Sequence, residues 1–367
     1  MNGPHPSDPP ERPADPPAPS AGWQPSCPLP ASRYPRVLLG HGGGGRLMQE
    51  LLDETVLPRL GLQRTDMLHD GALLAPGGPQ LAFTTDAFVV DPLFFPGGDI
   101  GSLSVHGTVN DLAMCGARPL ALSAALVLEE GLPMDVLERV LDSMHAAARA
   151  CGTQVVTGDT KVVERRTGEG LWITTTGVGR VAAGASLAPW RLRPGDVLLV
   201  SGDIGRHGVA VMSRREGLAF ETEVLSDSAA VTEPALALLA AGLDVRCMRD
   251  PSRGGLAAVL DELARSSGRD LAVREADVPV SREVSAACEL LGLDPLMVPC
   301  EGRFLAVVPA DDADAALRIL ERFDGCARAA RIGVVGDTTG RTVQLENALG
   351  VRRGLILPSG EQLPRIC

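Results

Sequence analysis

Runs of β-branched residues alternate along this chain with Ala/Leu-rich amphipathic stretches, and that alternation restricts it to layers of sheet and helix. LAFTTDAFVV at 81–90, LWITTTGVGRV at 171–181, DVLLVSG at 196–202 and FLAVVPA at 304–310 read as strands. MDVLERVLDSMHAAARACG at 134–152 reads as a helix closing at Gly152, with Val136, Leu137, Val140, Leu141 and Met144 on one face. VTEPALALLAAGLD at 231–244 and GGLAAVLDELARSSG at 254–268 repeat that pattern. The fold class is therefore α/β (α+β). A length of 367 residues points to two domains, and aromatics at 3% against 45% hydrophobic residues make their cores aliphatic.

Eleven of the 29 prolines fall in the first 30 residues, so residues 1–35 are expected as a solvated, polyproline-like tail with little to bury. The breaker-rich stretch GASLAPWRLRPG at 184–195 marks the expected junction between a domain over 36–183 and one over 184–345. Periodicity fades near the end, and residues 346–367 are expected to form an arm. Lys+Arg 34 against Asp+Glu 46 gives a net charge of −12, which argues against nucleic acid or an anionic membrane as partner. No apolar run reaches about 18 residues, and no signal-peptide pattern is present. Among the eight cysteines no two are closer than 12 residues, which excludes zinc-type spacing and fits a reduced, cytoplasmic protein.

Aspartates recur in motifs that read as turns or strand ends: DGA at Asp70, TTDAF at Asp86, VNDLA at Asp111, GDTK at Asp159 and RDPSRGG at Asp250. Each alone suits a helix cap or turn. Converging, the same side chains would bind a hard cation through oxygen beside a phosphate. HGGGG at 41–45 opens a helix, where glycines let the backbone approach an anion. Its spacing matches neither standard phosphate fingerprint, and a hinge explains it equally well.

Lys161 is the sole lysine; every other basic side chain is arginine. A compact ammonium suits a transferring phosphoryl group where a forked guanidinium does not, the alternative being chance survival. Glu301 in PCEGRF is a candidate general base or an ordinary turn residue. Cys367 ends the chain in PRIC, either as a nucleophile and group carrier on an arm or as an inert thiol. An arm of about 20 residues spans up to about 65 Å, enough to reach any site on its own subunit.

HGGGG, TTDAFVVDPLFFPGGDIG, VHGTVNDLAMCGARP, GDTKVV, RPGDVLLVSGDIGRHG, DPSRGGLA, LGLDPL, CEGRF and terminal PRIC occur in this order. Together they resemble the HypE family of hydrogenase maturation factors, which act as carbamoyl dehydratases. That family lies within the superfamily of aminoimidazole ribonucleotide synthetase, selenophosphate synthetase and thiamine-phosphate kinase. The likeness runs from about residue 36 to 367. It implies a two-domain PurM-like fold whose N-terminal sheet forms a dimer barrel, with ATP and Mg²⁺ in the cleft. It further implies a HypF-type carbamoyltransferase as donor, a HypC–HypD complex as cyanide recipient, and a homodimer.

By the same resemblance, Asp86, Asp111 and Asp159 are principal Mg²⁺ or phosphate-site carboxylates, with Asp70 and Asp250 as further candidates. Gly42, Gly43, Gly44 and Gly45 would close over phosphate, and Thr85, Gly107, Thr108, Asn110 and Arg253 would line the nucleotide site. Lys161 would stabilise transferring charge, Glu301 would take a nitrogen proton, and Cys367 would carry the group. Cys300 stands where many relatives have asparagine. A kinase or synthetase acting on a diffusible substrate would not need PRIC, and a scaffold without catalysis would leave the aspartates without purpose.

Overall fold

The computed structural model describes residues 45–56, 59, 71–74, 78–165, 170–217, 223–358, 363 and 365–367. The expected tail, Gly42, Gly43, Gly44 and Asp70 lie outside the described residues. Among the described residues, no helix is long and apolar enough to cross a membrane.

Helix α1 (Arg46–Leu51) starts directly after Gly45. Strands β1 (Ala72–Leu74) and β2 (Leu81–Phe88) follow, then a short hairpin of β3 (Phe94–Phe95) and β4 (Gly98–Asp99). Next come helix α2 (Ile100–Met114), β5 (Ala117–Glu129), helix α3 (Met134–Ala150), β6 (Val155–Val163) and β7 (Leu171–Val181). The sheet order is β1-β2-β7-β5-β6, antiparallel except for the β5–β6 edge, which is parallel and connected through α3.

Helices α2 and α3 cover one face of this sheet. Asp99 caps α2 by accepting from the Gly101 and Ser102 amides at 2.7 and 3.1 Å, and the Ser143 hydroxyl of α3 donates to its other oxygen at 2.6 Å. Gly101 is required there, because a Cβ would stand 2.2 Å from the Val140 carbonyl oxygen. Leu103, Leu112, Leu122 and Ile173 are fully buried between helix and sheet. Each contributes about 2 kcal/mol, so this layer outweighs any surface ion pair in holding the half together. The opposite sheet face has no covering element among the described residues, and it leaves Phe83 of β2 41% exposed.

The second half contains β8 (Val197–Val200), α4 (Arg206–Arg215), α5 (Thr232–Ala240), β9 (Cys247–Arg249), α6 (Gly255–Ser267) and β10 (Leu271–Arg274). It continues through α7 (Arg282–Leu291), β11 (Leu305–Val308), α8 (Ala313–Leu320), β12 (Ala330–Val335), β13 (Val343–Glu346) and β14 (Arg352–Gly354). Its sheet runs β14-β13-β10-β12-β8-β11-β9. Leu256, Leu260 and Leu263 of α6 pack on one face; Ala235 and Leu238 of α5 and Ala316 and Leu320 of α8 pack on the other. Central β8 and β11 are buried along their whole length, which is why they read as unbroken apolar runs.

The halves are joined through α2. Asn110 donates to the carbonyls of Ala229 and Glu301 at 3.0 and 3.2 Å and accepts from the Val231 amide at 2.8 Å. The chain end departs from expectation. Before any arm begins, Arg352–Gly354 pairs with β13, held by Arg352 to Glu346 at 3.0 Å and by Arg353 to Glu275. An exposed edge strand of arginine and glycine carries no apolar alternation, so hydropathy could not mark it.

Candidate active site

Strand β2 and the last turns of α2 face each other and bring Asp86 and Asp111 together. The two carboxyl groups share a hydrogen bond, and the Thr84 hydroxyl donates to Asp111 Oδ2 at 2.6 Å. Two carboxyl groups held this close favour either a proton between them or a cation in its place. Burial raises the Asp86 carboxyl above its usual range, opposed by Arg253 and by the bond to Asp111. Gly107 permits the approach: a Cβ there would meet the Phe88 ring at 2.8 Å, with Asp86 Oδ2 at 3.8 Å. Asp111 thus lies within a helix and not in a turn. Hydropathy missed this because α2 is buried almost all round, between its own sheet and the second half.

The loops of the second half supply the rest. Arg253, in the turn leading into α6, reaches Asp86 at 3.9 Å and lies within the electrostatic reach of Glu301, Asp111 and Cys367. Glu301 is buried, 4% exposed, and its Oε1 has no hydrogen-bond partner. Burial first, then Asp250, Asp227 and Asp86, push its carboxyl well above the usual carboxylate range; a hydrogen bond with Cys367 works against them. Cys367 itself is held well above an ordinary thiol, first by burial and then by Glu301, with Arg253 opposing. The chain terminus therefore docks as a protonated thiol against a buried, poorly solvated carboxyl group.

Other predicted residues are placed differently. Asp159 and Lys161 sit in the middle of β6, opposite Ala125 and Val127 of β5. Register and alternation put them on the open sheet face, with Thr85, which bonds to Thr176 at 2.9 Å. The expectation that Asp159 joins Asp86 and Asp111 is thus corrected for a single chain. Its motif was read as a turn, but Gly158 there serves close strand pairing, since a Cβ would stand 2.1 Å from the Ala124 carbonyl oxygen. Thr108 is buried, bonding the Thr175 hydroxyl, and both amide hydrogens of Asn110 are taken by backbone. Asp250 lies near Glu301. Cys300 accepts from the Gly205 amide at 3.1 Å and donates to the Val298 carbonyl at 3.7 Å. Among the described residues, no three His, Cys, Asp or Glu side chains form a metal cluster by themselves.

Asp227 and His207 escaped the sequence reading. Asp227 Oδ1 accepts from the Glu301 amide at 3.3 Å, and its Oδ2 lies 3.8 Å from Arg303. His207 contacts the backbone of Ile366, 159 residues away. The motif GDIGRHG was visible, but one histidine or aspartate in a chain gives no sign of a partner so distant.

Two α/β halves with paired carboxylates at their junction define a protein of the AIR synthase related class. Residues 68–181 match the AIR synthase related protein N-terminal domain, and residues 193–346 match the C-terminal domain. The chain is 49% identical over 333 residues to a carbamoyl dehydratase HypE of Cupriavidus necator, covering 90% of this chain and 95% of that one. It is 43% identical over 336 residues to the Escherichia coli carbamoyl dehydratase HypE, covering 90% and 99%. A solved hydrogenase maturation protein HypE in complex with ATP matches at a TM-score of 0.76 and 45% identity, over 90% of this chain and 100% of that one. A HypE–HypF complex matches at 0.78 and 40% identity, over 86% and 100%. The chain belongs to the HypE carbamoyl dehydratase family of hydrogenase maturation proteins, and it has the PurM-like fold.

Burial of Glu301 has a consequence for stability. Its folded-state pKa lies above its unfolded value, so the native state keeps a proton that the unfolded chain gives up, and stability falls as pH rises through that window. Glu301→Gln removes this penalty. Its melting temperature is expected to exceed that of the wild type at about pH 8, and the excess to shrink toward about pH 4. Melting temperatures that stay parallel across this range would contradict the buried-acid description.

Proposed function

We propose that this chain carries out, in the cytoplasm, the ATP-dependent dehydration of a carbamoyl group carried on Cys367, converting a thiocarboxamide into a thiocyanate. The supporting observation is the contact of a chain-terminal thiol with the buried carboxyl of Glu301, beside Arg253 and Asp86. Relatives solved with ATP and with HypF support ATP as co-substrate and a HypF-type carbamoyltransferase as donor. A HypC–HypD complex is the proposed recipient of the cyanide, which becomes a ligand of [NiFe]-hydrogenase iron.

Loading takes place with the arm out. The Cys367 thiolate attacks the carbonyl carbon of the delivered carbamoyl group, forming the S–C bond as the donor's leaving group departs with its electron pair. The docked thiol is unsuited to that step, because burial and Glu301 hold its proton. After docking, the carboxamide oxygen attacks the terminal phosphorus of ATP and ADP departs, which turns a poor leaving group into phosphate. Once Glu301 has given up its own proton, its carboxylate takes one N–H proton, the second is released, and the C–O bond breaks as the C≡N bond forms. Thiocarboxamide and ATP give thiocyanate, ADP and phosphate, the amide oxygen leaving in the phosphate.

Asp86 and Asp111 are the carboxylates proposed for Mg²⁺. Two carboxyl groups held within hydrogen-bonding reach mark a place that a hard divalent cation would fill, and Mg²⁺ commonly takes a few carboxylates together with substrate phosphates. When bound, it neutralises charge on the transferring phosphoryl group. Gly45, with Gly42, Gly43 and Gly44, is the proposed phosphate loop, and Asp70 and Asp250 are further proposed carboxylates.

Lys161 and Asp159 require a second copy. They share the open sheet face with Phe83, an apolar surface suited to face-to-face packing of two sheets as a dimer barrel. Such a homodimer carries Lys161 of one subunit to the nucleotide site of the other.

Mixing the chain with the carbamoyltransferase, carbamoyl phosphate and ATP should give an intact-mass adduct of one carbamoyl group, which loses one water only when ATP is present. An adduct persisting in Cys367→Ala would refute the assignment. The shared site is tested by unfolding and refolding Lys161→Ala together with Cys367→Ala, each inactive alone. Statistical pairing should restore about a quarter of wild-type activity. No recovery in a properly reassembled dimer would place Lys161 and Cys367 in the same subunit's site.

A further inference from the structure

We propose that His207 is the positioning residue that seats the C-terminal arm: its imidazole donates Nε2–H to the Ile366 carbonyl and so fixes Cys367 against Glu301. The proposal rests on the reading of Cys367 as the carrier, and it assigns the latch that brings this carrier into register.

His207 lies in the first turn of α4 and is completely buried. Its Nε2 stands 2.9 Å from the Ile366 carbonyl oxygen, its Nδ1 stands 2.8 Å from the Ser226 hydroxyl, and the Phe95 ring meets it edge-on at 5.2 Å between centroids. A carbonyl oxygen only accepts, so Nε2 must bear the hydrogen. In a neutral ring Nδ1 is then the acceptor, and the Ser226 hydroxyl donates to it. Ser226 Oγ is itself held by the Ser228 amide at 3.0 Å. Burial favours this neutral form, lowering the imidazole pKa against the opposing pull of Asp227 and of the Ile366 carbonyl. The result is one fixed tautomer aimed at one backbone oxygen of the arm.

The surroundings explain why a latch is needed. Arg365 adopts φ 57°, a left-handed conformation that disfavours a residue with a side chain. That turn presents two successive carbonyls to the body. The Arg365 carbonyl accepts from the Asp91 amide at 3.1 Å and from Arg215 at the rim. The Ile366 carbonyl accepts from His207 in the interior, one residue before the reacting thiol. Leu363 and Ile366 enter the same core cluster as Val209 and Val298. Gly208 makes room for this, since a Cβ would meet Val298 at 2.5 Å and Leu363 at 3.5 Å. Apolar packing supplies affinity for the arm but tolerates sliding. The directional bond from His207 fixes depth, and depth decides whether the group on Cys367 meets Glu301.

The test is N-ethylmaleimide labelling of the full-length protein, with the Cys367 contribution taken as the difference from the same protein carrying Cys367→Ala. His207→Leu keeps apolar volume but removes the donor, leaving a buried carbonyl unpaired when the arm is docked. Cys367 in it should label about tenfold faster than in wild type, and dehydration of the preloaded carbamoyl group should slow by a similar factor while loading by the carbamoyltransferase does not slow. His207→Gln, whose amide N–H stands near the place of Nε2–H, should return labelling toward the wild-type rate. Ser226→Ala, which frees the tautomer without altering the ring, should move labelling in the same direction by less, and it decides the question if His207→Leu does not fold. Unchanged Cys367 labelling in the folded variants would overturn the latch. A wild-type chain that never accepts a carbamoyl group would instead overturn the functional reading, with the labelling result still standing.

Discussion

A carboxyl group that the fold denies water controls this molecule. Glu301 is buried among Asp227, Asp250 and Asp86, with Arg253 and Arg303 as cations beside the cluster and an Oε1 that lacks a partner. An acid in such surroundings resists ionisation, and its carboxylate, once formed, is a stronger base than an exposed one. The terminal thiol that meets it is likewise kept protonated. In the proposed reaction, the burial that strengthens the Glu301 base also keeps the docked cysteine from acting as a nucleophile, so loading and dehydration would occur in different places.

The rest of the architecture serves that contact. Helix α2 holds Asp111 toward β2 and, through Asn110, binds the carbonyl of Glu301 itself, so the acidic pair and the buried acid move as one body. Asp227 holds the Glu301 amide from the other side. Gly302 is forced by this closeness, since a Cβ would stand 1.8 Å from the Asp227 carbonyl oxygen. The open sheet face carries the one lysine outward, away from the acid its chemistry concerns, so a single chain holds only part of the proposed machinery.

Much of the fold was legible because burial leaves a signature in sequence. Strand β7 alternates strictly and its limits, 171–181, coincide with the expected strand. Buried β8 and β11 read as apolar runs, and one-faced α3, α6 and α5 as amphipathic helices. What failed to show were elements without such contrast: α2, wrapped on every side; β14, exposed along its length; and β6, whose nine residues are all exposed. Glu301 and terminal Cys367, singled out by their motifs, do lie together, whereas the lone Lys161 lies on the open sheet face of the same chain. Asp227 and His207 were not legible, because their roles come from residues far away in the chain. Nor could motif order reveal that Asp159 and Asp86 lie on opposite faces of one sheet.

In the proposed reaction ATP activates the amide oxygen of the group on Cys367 directly. This is tested by loading Cys367 from carbamoyl phosphate whose carbonyl oxygen is isotopically heavy, removing excess donor, adding ATP, and weighing the inorganic phosphate released in one turnover. One heavy oxygen is expected in each phosphate formed with thiocyanate. Heavy oxygen appearing in water, with unlabelled phosphate, would contradict direct activation.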